Sequence, residues 1–215
     1  DPNAGLLYRG YDAHDLAKGA NFEEVAWLLL HGELPTGKQL STFHNELAAE
    51  RLLPDAVVTM LRLMPKGAQP MDMLRTGVSM LAAFDPELND HSHDANLRKS
   101  ARLIAKISTL ITSGWRIAHG QEPLLPQSNL GHAANFLFCL TGKIPPALDQ
   151  EVFNKIFVLY AEHDFNASTF AARVTASTLA DIYAAITTAI ATLKGPLHGG
   201  ANEEAVKGLR DIGTP

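Results

Sequence analysis

Cysteine is almost absent from this chain of 215 residues. Cys139 is the single example, and it lies within the apolar run Phe136 to Leu140, a setting that is typical of a small core residue. One cysteine cannot form an intrachain disulfide, so the composition fits a reducing compartment. We therefore expect Cys139 to be structural and the protein to be cytoplasmic, or in the mitochondrial matrix if the source is eukaryotic.

Basic runs, long apolar runs and targeting segments are also missing. The formal net charge is −5 and no Lys/Arg-rich run occurs, which argues against nucleic acid as a partner but leaves small anionic substrates open. No apolar stretch reaches the roughly 18 residues that span a bilayer, so we expect no membrane association. The chain opens at Asp1 without a charged leader and stops at Pro215 just after a helical pattern begins. Both ends are interpreted as cuts through a longer protein.

The chain does contain helical periodicity from end to end, and no alternating run predicts a strand. Apolar side chains recur at helical spacing from Phe22 to His31, and Gly32 ends the pattern. Thr36 and Gln39 form a capping-box pattern before the next helix. Further helices are predicted from Asp55, over Met71 to Phe84, over Leu97 to His119 and near Leu130 to Leu140, with a polar loop over Leu88 to Asn96. The sequence predicts an all-α, multi-helical fold.

The last third of the chain carries the clearest helical signals. A helix capped by Asp149 is predicted to run to His163. A long alanine-rich helix is then predicted from about Ser168 to Leu193, either as a central core helix or as part of a subunit interface. Lys194-Gly195-Pro196 is a strong stop signal, and Asn202 is expected to cap a new helix.

Two histidines in this region could carry chemistry. His163 is expected at a helix C-terminus, which favours an imidazolium, and Asn166 and Ser168 follow at once. Such a group could bind a carboxylate or a ketone oxygen, although a core histidine with satisfied hydrogen bonds remains the alternative. His198 lies between a helix stop and a helix start, where the dipole of the following helix favours neutral imidazole. A neutral imidazole can donate a hydrogen bond to a carbonyl oxygen that gains charge in an enolate, although a His-Gly-Gly turn is by itself a weak signal.

Metal and nucleotide sites are not indicated. The His91-Ser92-His93 pattern lies in a polar segment without a separate ligand cluster and is interpreted as a solvated loop. No glycine-rich phosphate loop follows a strand. We expect no metal and no permanently bound cofactor.

Several segments together resemble the citrate synthase family. The segment Leu159 to Val174 is similar to the family's oxaloacetate-site segment, and Lys194 to Asn202 is similar to its catalytic-histidine turn. Further matches lie at residues 8–12, 22–35 and 70–79, in the family's order along almost the whole chain. The resemblance is to bacterial-type citrate and 2-methylcitrate synthases.

The resemblance implies an acyltransferase that condenses acetyl-CoA or propionyl-CoA, as a co-substrate, with oxaloacetate and releases CoA. By matching position, His198 would hold the thioester oxygen and Ser168 would orient it, while His163 and Asn166 would bind oxaloacetate. Arg75 is similar to an anion-holding arginine of the methylcitrate synthases, with an exposed helical arginine as the alternative. A homodimer is the expected assembly.

The same resemblance implies that much of the enzyme lies beyond Pro215. Residues 1–200 would form the helical large domain of the citrate synthase fold, and residues 201–215 would begin a small domain that is otherwise absent. The second catalytic histidine and the aspartate base would be missing, so this fragment alone is expected to be inactive. The alternative is a non-catalytic helical module, a truncated or divergent relative that binds a carboxylate or serves assembly. Gln69 stands where many members have histidine, which affects only local hydrogen bonding.

Overall fold

Helices dominate the computed structural model, which describes residues 5–213, apart from the side chains of 201–203, 205 and 209. The helices in this part of the chain are α1 (Ala13–Gly19), α2 (Phe22–His31), α3 (Gly37–Glu50), α4 (Asp55–Leu63), α5 (Pro70–Leu81), α6 (His93–Ala118), α7 (His132–Thr141), α8 (Ala147–Leu159), α9 (Ala167–Ala176), α10 (Ile182–Leu193) and α11 (Gly200–Ile212). A short 3₁₀ helix, Ala82–Phe84, follows α5. The all-α prediction is confirmed, and no helix of the described residues is long and apolar enough to cross a membrane.

The start of α3 and the end of α2 lie where the sequence predicts them. The predicted capping box is present at α3, where the backbone N–H of Thr36 donates to Gln39 Oε1 at 2.8 Å and the N–H of Gln39 donates to Thr36 Oγ1 at 3.4 Å. Helix α2 ends at Gly32, which has φ 91°, a left-handed conformation that favours glycine. Cys139 is buried in α7, as expected, and burial raises the pKa of its thiol to about 11.

A small β-hairpin near the start of the chain was not predicted. Strands β1 (Leu7–Tyr8) and β2 (Tyr11–Asp12) pair antiparallel, with Tyr8 opposite Tyr11. Arg9 and Gly10 form the turn with φ of 52° and 92°, and two consecutive positive φ angles are typical of a two-residue hairpin loop. Strands of two residues are too short to produce an alternating pattern, which explains why the sequence does not reveal them.

The predicted polar loop over Leu88 to Asn96 is wrong in its second half. Helix α6 begins at His93, because the side chain of Ser92 accepts a hydrogen bond from the backbone N–H of Ala95 at 3.3 Å. The cap outweighs the polar composition, because the first turn of a helix needs acceptors for its free N–H groups.

The long helix predicted from Ser168 to Leu193 is also wrong, because the chain breaks between α9 and α10. Leu179 adopts φ 63°, and Asp181 caps α10 by accepting from the N–H of Ala184 at 3.0 Å. Helix α8 likewise differs from the prediction: it begins after Pro146 rather than at Asp149 and ends at Leu159. His163 therefore lies in the connection beyond the helix rather than on its face.

Three apolar clusters hold the helices together in the described part of the chain. The main cluster joins α4, α5, α6 and α10, and buries Val78, Leu110 and Tyr183. A second cluster joins the hairpin, α1, α2 and α8, and a third joins α2, α3 and α6. Helix α10 thus supplies core residues, whereas none of the residues of α9 is buried. The core-helix alternative therefore applies to α10, and a subunit-interface role for α9 stays a prediction.

Helix α11 differs from the rest in its exposure. Its described side chains, among them Val206 and Ile212, are exposed. The prediction that Asn202 caps this helix is wrong, because α11 begins at Gly200 with Gly199 as its N-cap residue; the side chain of Asn202 itself lies outside the described residues. The division into a large domain at 1–200 and the start of a small domain at 201–215 stays a prediction.

Candidate active site

The two segments singled out in the sequence meet at one cavity. This cavity, of about 910 Å³, is lined by residues 159–169 from the α8–α9 connection and the start of α9, and by Leu193, His198 and Gly199 from the end of α10 and the following turn. His163, Asn166, Ser168 and His198 all belong to this lining. The structure therefore brings together four of the five predicted site residues.

Hydrogen bonds fix the connection that carries His163. Asn166 caps α9, and its Oδ1 accepts from the N–H of Thr169 at 2.8 Å and from the hydroxyl of Ser168 at 2.6 Å. The carboxylate of Glu162 accepts from the N–H of Asp164 at 2.6 Å. Asp164 itself adopts φ 60°, a conformation that aspartate tolerates better than most residues. The polar groups on both sides of His163 are thus engaged with the backbone.

His198 approaches the N-terminus of α9. The backbone N–H of Ser168 donates to His198 Nε2 at 3.3 Å, and Ser168 Oγ lies 2.9 Å from the same nitrogen. A backbone N–H can only donate, so this contact favours a lone pair on Nε2 and the ring proton on Nδ1. The hydroxyl of Ser168 can rotate to donate either to Nε2 or to Asn166 Oδ1.

This contact bears on which ring nitrogen of His198 carries a proton. The sequence placed the ring before the positive end of the helix that follows, and α11 does begin at Gly200. The structure adds the N-terminus of α9, whose N–H groups carry partial positive charge and disfavour a proton on Nε2. The arrangement leaves Nδ1–H as the donor that the ring can offer to a ligand. The catalytic roles of His198 and Ser168 stay predictions.

The turn that presents His198 is tightly constrained. The N–H groups of His198 and Gly199 donate to the carbonyl of Gly195 at 2.9 and 3.1 Å. A Cβ atom added to Gly199 would lie 2.1 Å from the carbonyl oxygen of Leu193, so no larger residue fits there without movement of the backbone. Lys194 Nζ donates to both carboxylate oxygens of Asp72 at 2.7 Å, which ties the start of the turn to α5 and lowers the pKa of Asp72.

The fifth predicted residue, Arg75, is not among the residues that line this cavity in the described part of the chain. Its Nη2 donates to Asp72 Oδ1 at 3.0 Å, so its guanidinium joins the carboxylate that already holds Lys194. The structure does not bring Arg75 to the histidines, and its role in binding an anion stays a prediction.

Sequence reasoning missed several polar residues that the structure makes prominent. Tyr8 is fully buried and donates to carbonyls of the α8–α9 connection, although nothing in its sequence context indicates this. A separate cavity of about 510 Å³ is lined by Glu23, His44 and His132, among others. Burial lowers the pKa of His132 to about 4. Burial alone would raise the pKa of Glu23, but hydrogen bonds from His44 and from the backbone N–H of His132 lower it.

The His91-Ser92-His93 pattern has a structural explanation, because Ser92 caps α6. The described residues contain no group of three or more histidine, cysteine, aspartate or glutamate side chains that could hold a metal ion.

Comparison with known proteins identifies the family. The family model described as citrate synthase, C-terminal domain, matches residues 1–215. The chain belongs to the citrate synthase family. Among citrate synthase relatives, the enzyme named citrate synthase of Heyndrickxia coagulans is 43% identical over 212 residues, which cover 99% of this chain and 57% of the relative. The protein named 2-methylcitrate synthase of Mycobacterium tuberculosis H37Rv is 44% identical over 210 residues, which cover 98% of this chain and 53% of the relative.

Solved citrate synthase structures share the fold. The citrate synthase of Pyrobaculum aerophilum superposes with a TM-score of 0.92 at 39% identity, covering 99% of this chain and 55% of that one. The citrate synthase of Thermoplasma acidophilum, solved as a ternary complex with carboxymethyl coenzyme A and oxaloacetate, superposes with a TM-score of 0.92 at 32% identity, covering 99% and 56%. The chain thus spans about half the length of these citrate synthase relatives.

Proposed function

We propose that this chain is the larger helical part of an enzyme that condenses a short acyl-CoA with oxaloacetate to form citrate or 2-methylcitrate. The observation that carries the proposal is the contact of His198 Nε2 with the N–H and hydroxyl of Ser168, at the wall of a cavity that His163 also lines. A proton held on Nδ1 is what a neutral histidine needs to stabilise an enolate. Membership of the citrate synthase family supports this reading.

In the proposed reaction, His198 Nδ1–H donates to the thioester oxygen of the acyl-CoA. A carboxylate base removes a proton from the adjacent carbon, and the electron pair of that C–H bond moves into the enolate. The resemblance assigns the base to an aspartate beyond Pro215. The enolate carbon then forms the new bond to the ketone carbon of oxaloacetate, while the electron pair of the ketone C=O π bond moves to its oxygen, which takes up a proton and becomes the hydroxyl group of the product. Water then hydrolyses the thioester, which gives the free carboxylate and releases CoA as its thiol.

Oxaloacetate is proposed to occupy the cavity beside the α8–α9 connection. His163 is exposed at the cavity wall and Asn166 is partly buried there, so both can reach a bound dicarboxylate. The ternary complex of the Thermoplasma acidophilum enzyme contains oxaloacetate and a CoA analogue, which supports the same pair of ligands here. Arg75 already donates from Nη2 to Asp72 Oδ1, and its part in such a site rests on the resemblance alone.

The proposal covers both acetyl-CoA and propionyl-CoA as the acyl donor. Relatives of similar identity are named citrate synthase and 2-methylcitrate synthase. The two thioesters differ by one methylene, which an apolar pocket distinguishes by only about 1–3 kcal/mol. A comparison of rates with the two substrates has to decide this point.

A homodimer is proposed as the assembly. Helix α9 has no buried residue, and its Phe170 and Val174 are 70% and 51% exposed. These two residues lie one turn apart and form an apolar face. Contact with a second copy would bury that face, and sedimentation of the full-length protein tests it.

The second candidate is a non-catalytic helical module that binds a carboxylate or serves assembly. The exposed apolar side chains of α9 are the observation that favours an assembly role. The two candidates differ in one measurable property, because only the enzyme releases thiol from an acyl-CoA in the presence of oxaloacetate.

The test is thiol release by the full-length protein, with oxaloacetate and each acyl-CoA in turn. We expect His198→Ala to lower turnover by about 10²–10³-fold, the cost of removing one oxyanion-stabilising donor, with the fold intact by circular dichroism. His91→Ala is the matched control, since His91 is exposed and outside the cavity. Near-normal turnover of His198→Ala would remove His198 from the proposed role. No thiol release by the wild-type protein with either substrate would favour the module.

A further inference from the structure

We propose that Tyr8 is a positioning residue that holds His163 in place for oxaloacetate. Tyr8 lies on strand β1, far from the cavity in sequence, and its side chain is fully buried. Its single hydroxyl hydrogen is shared between two carbonyl oxygens, those of Leu159 and Glu162, which lie 3.0 and 3.2 Å from the phenol oxygen. The inference rests on the proposed function, because it concerns how that site is held.

The two acceptors mark the ends of the segment that leads into the site. Leu159 is the last residue of α8, so its carbonyl belongs to the final turn, where helices leave carbonyl groups without intrahelical partners. The carbonyl of Glu162 belongs to the peptide bond that joins Glu162 to His163. One hydroxyl therefore ties the end of α8 to the peptide unit immediately before His163.

The ring of Tyr8 provides a rigid base for this contact. It packs in the apolar cluster of the hairpin, α1, α2 and α8, against residues that include Leu16, Val25 and Val158. Burial raises the pKa of Tyr8, so the phenol keeps the proton that it donates. A side chain held by its packing can fix the position of the carbonyls it contacts.

Packing holds the same segment only in part, because Ala161 packs against the apolar cluster of the hairpin, α1, α2 and α8. Ala161 and Glu162 line the cavity of about 910 Å³ on one side. They also line a second cavity, of about 440 Å³, together with Leu7, Arg9 and Leu29 of the hairpin and α2. Open space on two sides removes van der Waals partners that would otherwise resist displacement of a segment. The hydrogen bonds from Tyr8 consequently add a restraint on the backbone that precedes His163, beside the packing of Ala161 and its N–H bond to the carbonyl of Val158.

The restraint should act on oxaloacetate more than on the thioester. His163 follows the restrained peptide directly, whereas His198 is held by Ser168, by the turn at 195–199 and by the Lys194–Asp72 pair. Loss of the Tyr8 hydroxyl would therefore weaken the binding of the keto acid and leave the acyl-CoA side of the cavity largely unchanged.

The experiment compares Tyr8→Phe with Tyr11→Phe in the full-length protein. The control is matched, because Tyr11 pairs with Tyr8 across the hairpin but is 43% exposed. We expect Tyr8→Phe to raise the KM and the dissociation constant of oxaloacetate by roughly 5- to 30-fold, the range that loss of one buried hydrogen bond represents. The KM of the acyl-CoA should change little, and kcat should fall less than the affinity for oxaloacetate. Amides of residues 160–165 should exchange hydrogen faster in Tyr8→Phe alone.

The readouts separate positioning from simple stability. A lower melting temperature with unchanged oxaloacetate binding and unchanged exchange at 160–165 would overturn the inference and leave the proposed function standing. Equal effects of Tyr8→Phe and Tyr11→Phe on oxaloacetate binding would also overturn it. A wild-type protein that neither binds oxaloacetate nor releases thiol would overturn the proposed function itself, and this inference with it.

Discussion

Replacement of Gly199 by alanine isolates a steric requirement of the turn that presents His198. A Cβ at this position would lie 2.1 Å from the carbonyl oxygen of Leu193 and 3.2 Å from its carbonyl carbon. Gly199 has φ −79° and ψ −12°, a conformation that alanine adopts freely. The effect of the substitution therefore comes from the contact and not from the backbone preference of glycine.

The magnitude follows from the distance. Both groups in the contact are backbone or Cβ, so a rotamer change cannot relieve the overlap. Ordinary contacts of a Cβ atom lie beyond about 3 Å, so the turn has to move by roughly 1 Å, and a displacement of this size at a reacting group can cost about 10²-fold in rate. We expect Gly199→Ala to lower kcat/KM for thiol release by about 10²-fold in the full-length protein.

The neighbouring glycine supplies the control. A Cβ added to Gly200 meets nothing within 4 Å, and Gly200 is the first residue of α11. Gly200→Ala should keep nearly full activity, and both variants should keep a native circular dichroism spectrum. Full activity of Gly199→Ala, or equal losses in the two variants, would refute the steric reasoning.

Two further predictions concern stability. Leu179 is 78% exposed and has φ 63°, and a left-handed backbone costs roughly 1–2 kcal/mol for a residue with a Cβ. Leu179→Gly removes this cost but adds the larger loss of backbone entropy that glycine undergoes on folding, so the free energy of unfolding should rise by about 0.5–1 kcal/mol in a urea titration. An equal gain for Leu179→Ala would contradict this prediction. Burial lowers the pKa of His132 from 6.5 to about 4, so its contribution is complete above pH 6.5 and is lost as the pH falls towards 4, by at most about 1.4 kcal/mol per pH unit. Denaturation between pH 7 and 4 should show a shallower loss for His132→Gln, and an unchanged slope would count against this assignment.

Local side-chain chemistry explains which parts of the fold the sequence predicts well. The Thr36–Gln39 box and the stop at Gly32 are encoded within a few residues, and the structure reproduces both. The sequence did not predict the break after α9, because the alanine-rich segment keeps its helical pattern across Leu179, where the backbone adopts a left-handed conformation. Asp181 was the one available signal, since aspartate is a preferred N-cap.

The site was predictable only in part for a different reason. The resemblance to the family pointed to His163, Asn166, Ser168 and His198, and these residues do line one cavity. The contact of His198 with Ser168 joins residues 30 positions apart, and that of Tyr8 with Glu162 joins residues 154 apart. Contacts of this kind depend on how helices pack, which periodicity does not encode. Arg75 is the opposite case, a residue to which the resemblance pointed but which does not line the cavity. A local contact holds it, because Asp72 on the same helix accepts a hydrogen bond from its guanidinium.

The break between α9 and α10 also constrains the lengths of these two helices. An unbroken helix from 168 to 193 would be about 39 Å long and would separate Ser168 from the turn that carries His198 by roughly that length. Because the chain reverses direction between the 10 residues of α9 and the 12 of α10, the start of α9 and the end of α10 lie close enough for Ser168 to contact His198. The lengths of the two helices therefore have to match. One residue inserted into either helix would shift the end of that helix by about 1.5 Å and rotate it by about 100°. Insertions should therefore be tolerated far better in the connection between α9 and α10 than within either helix.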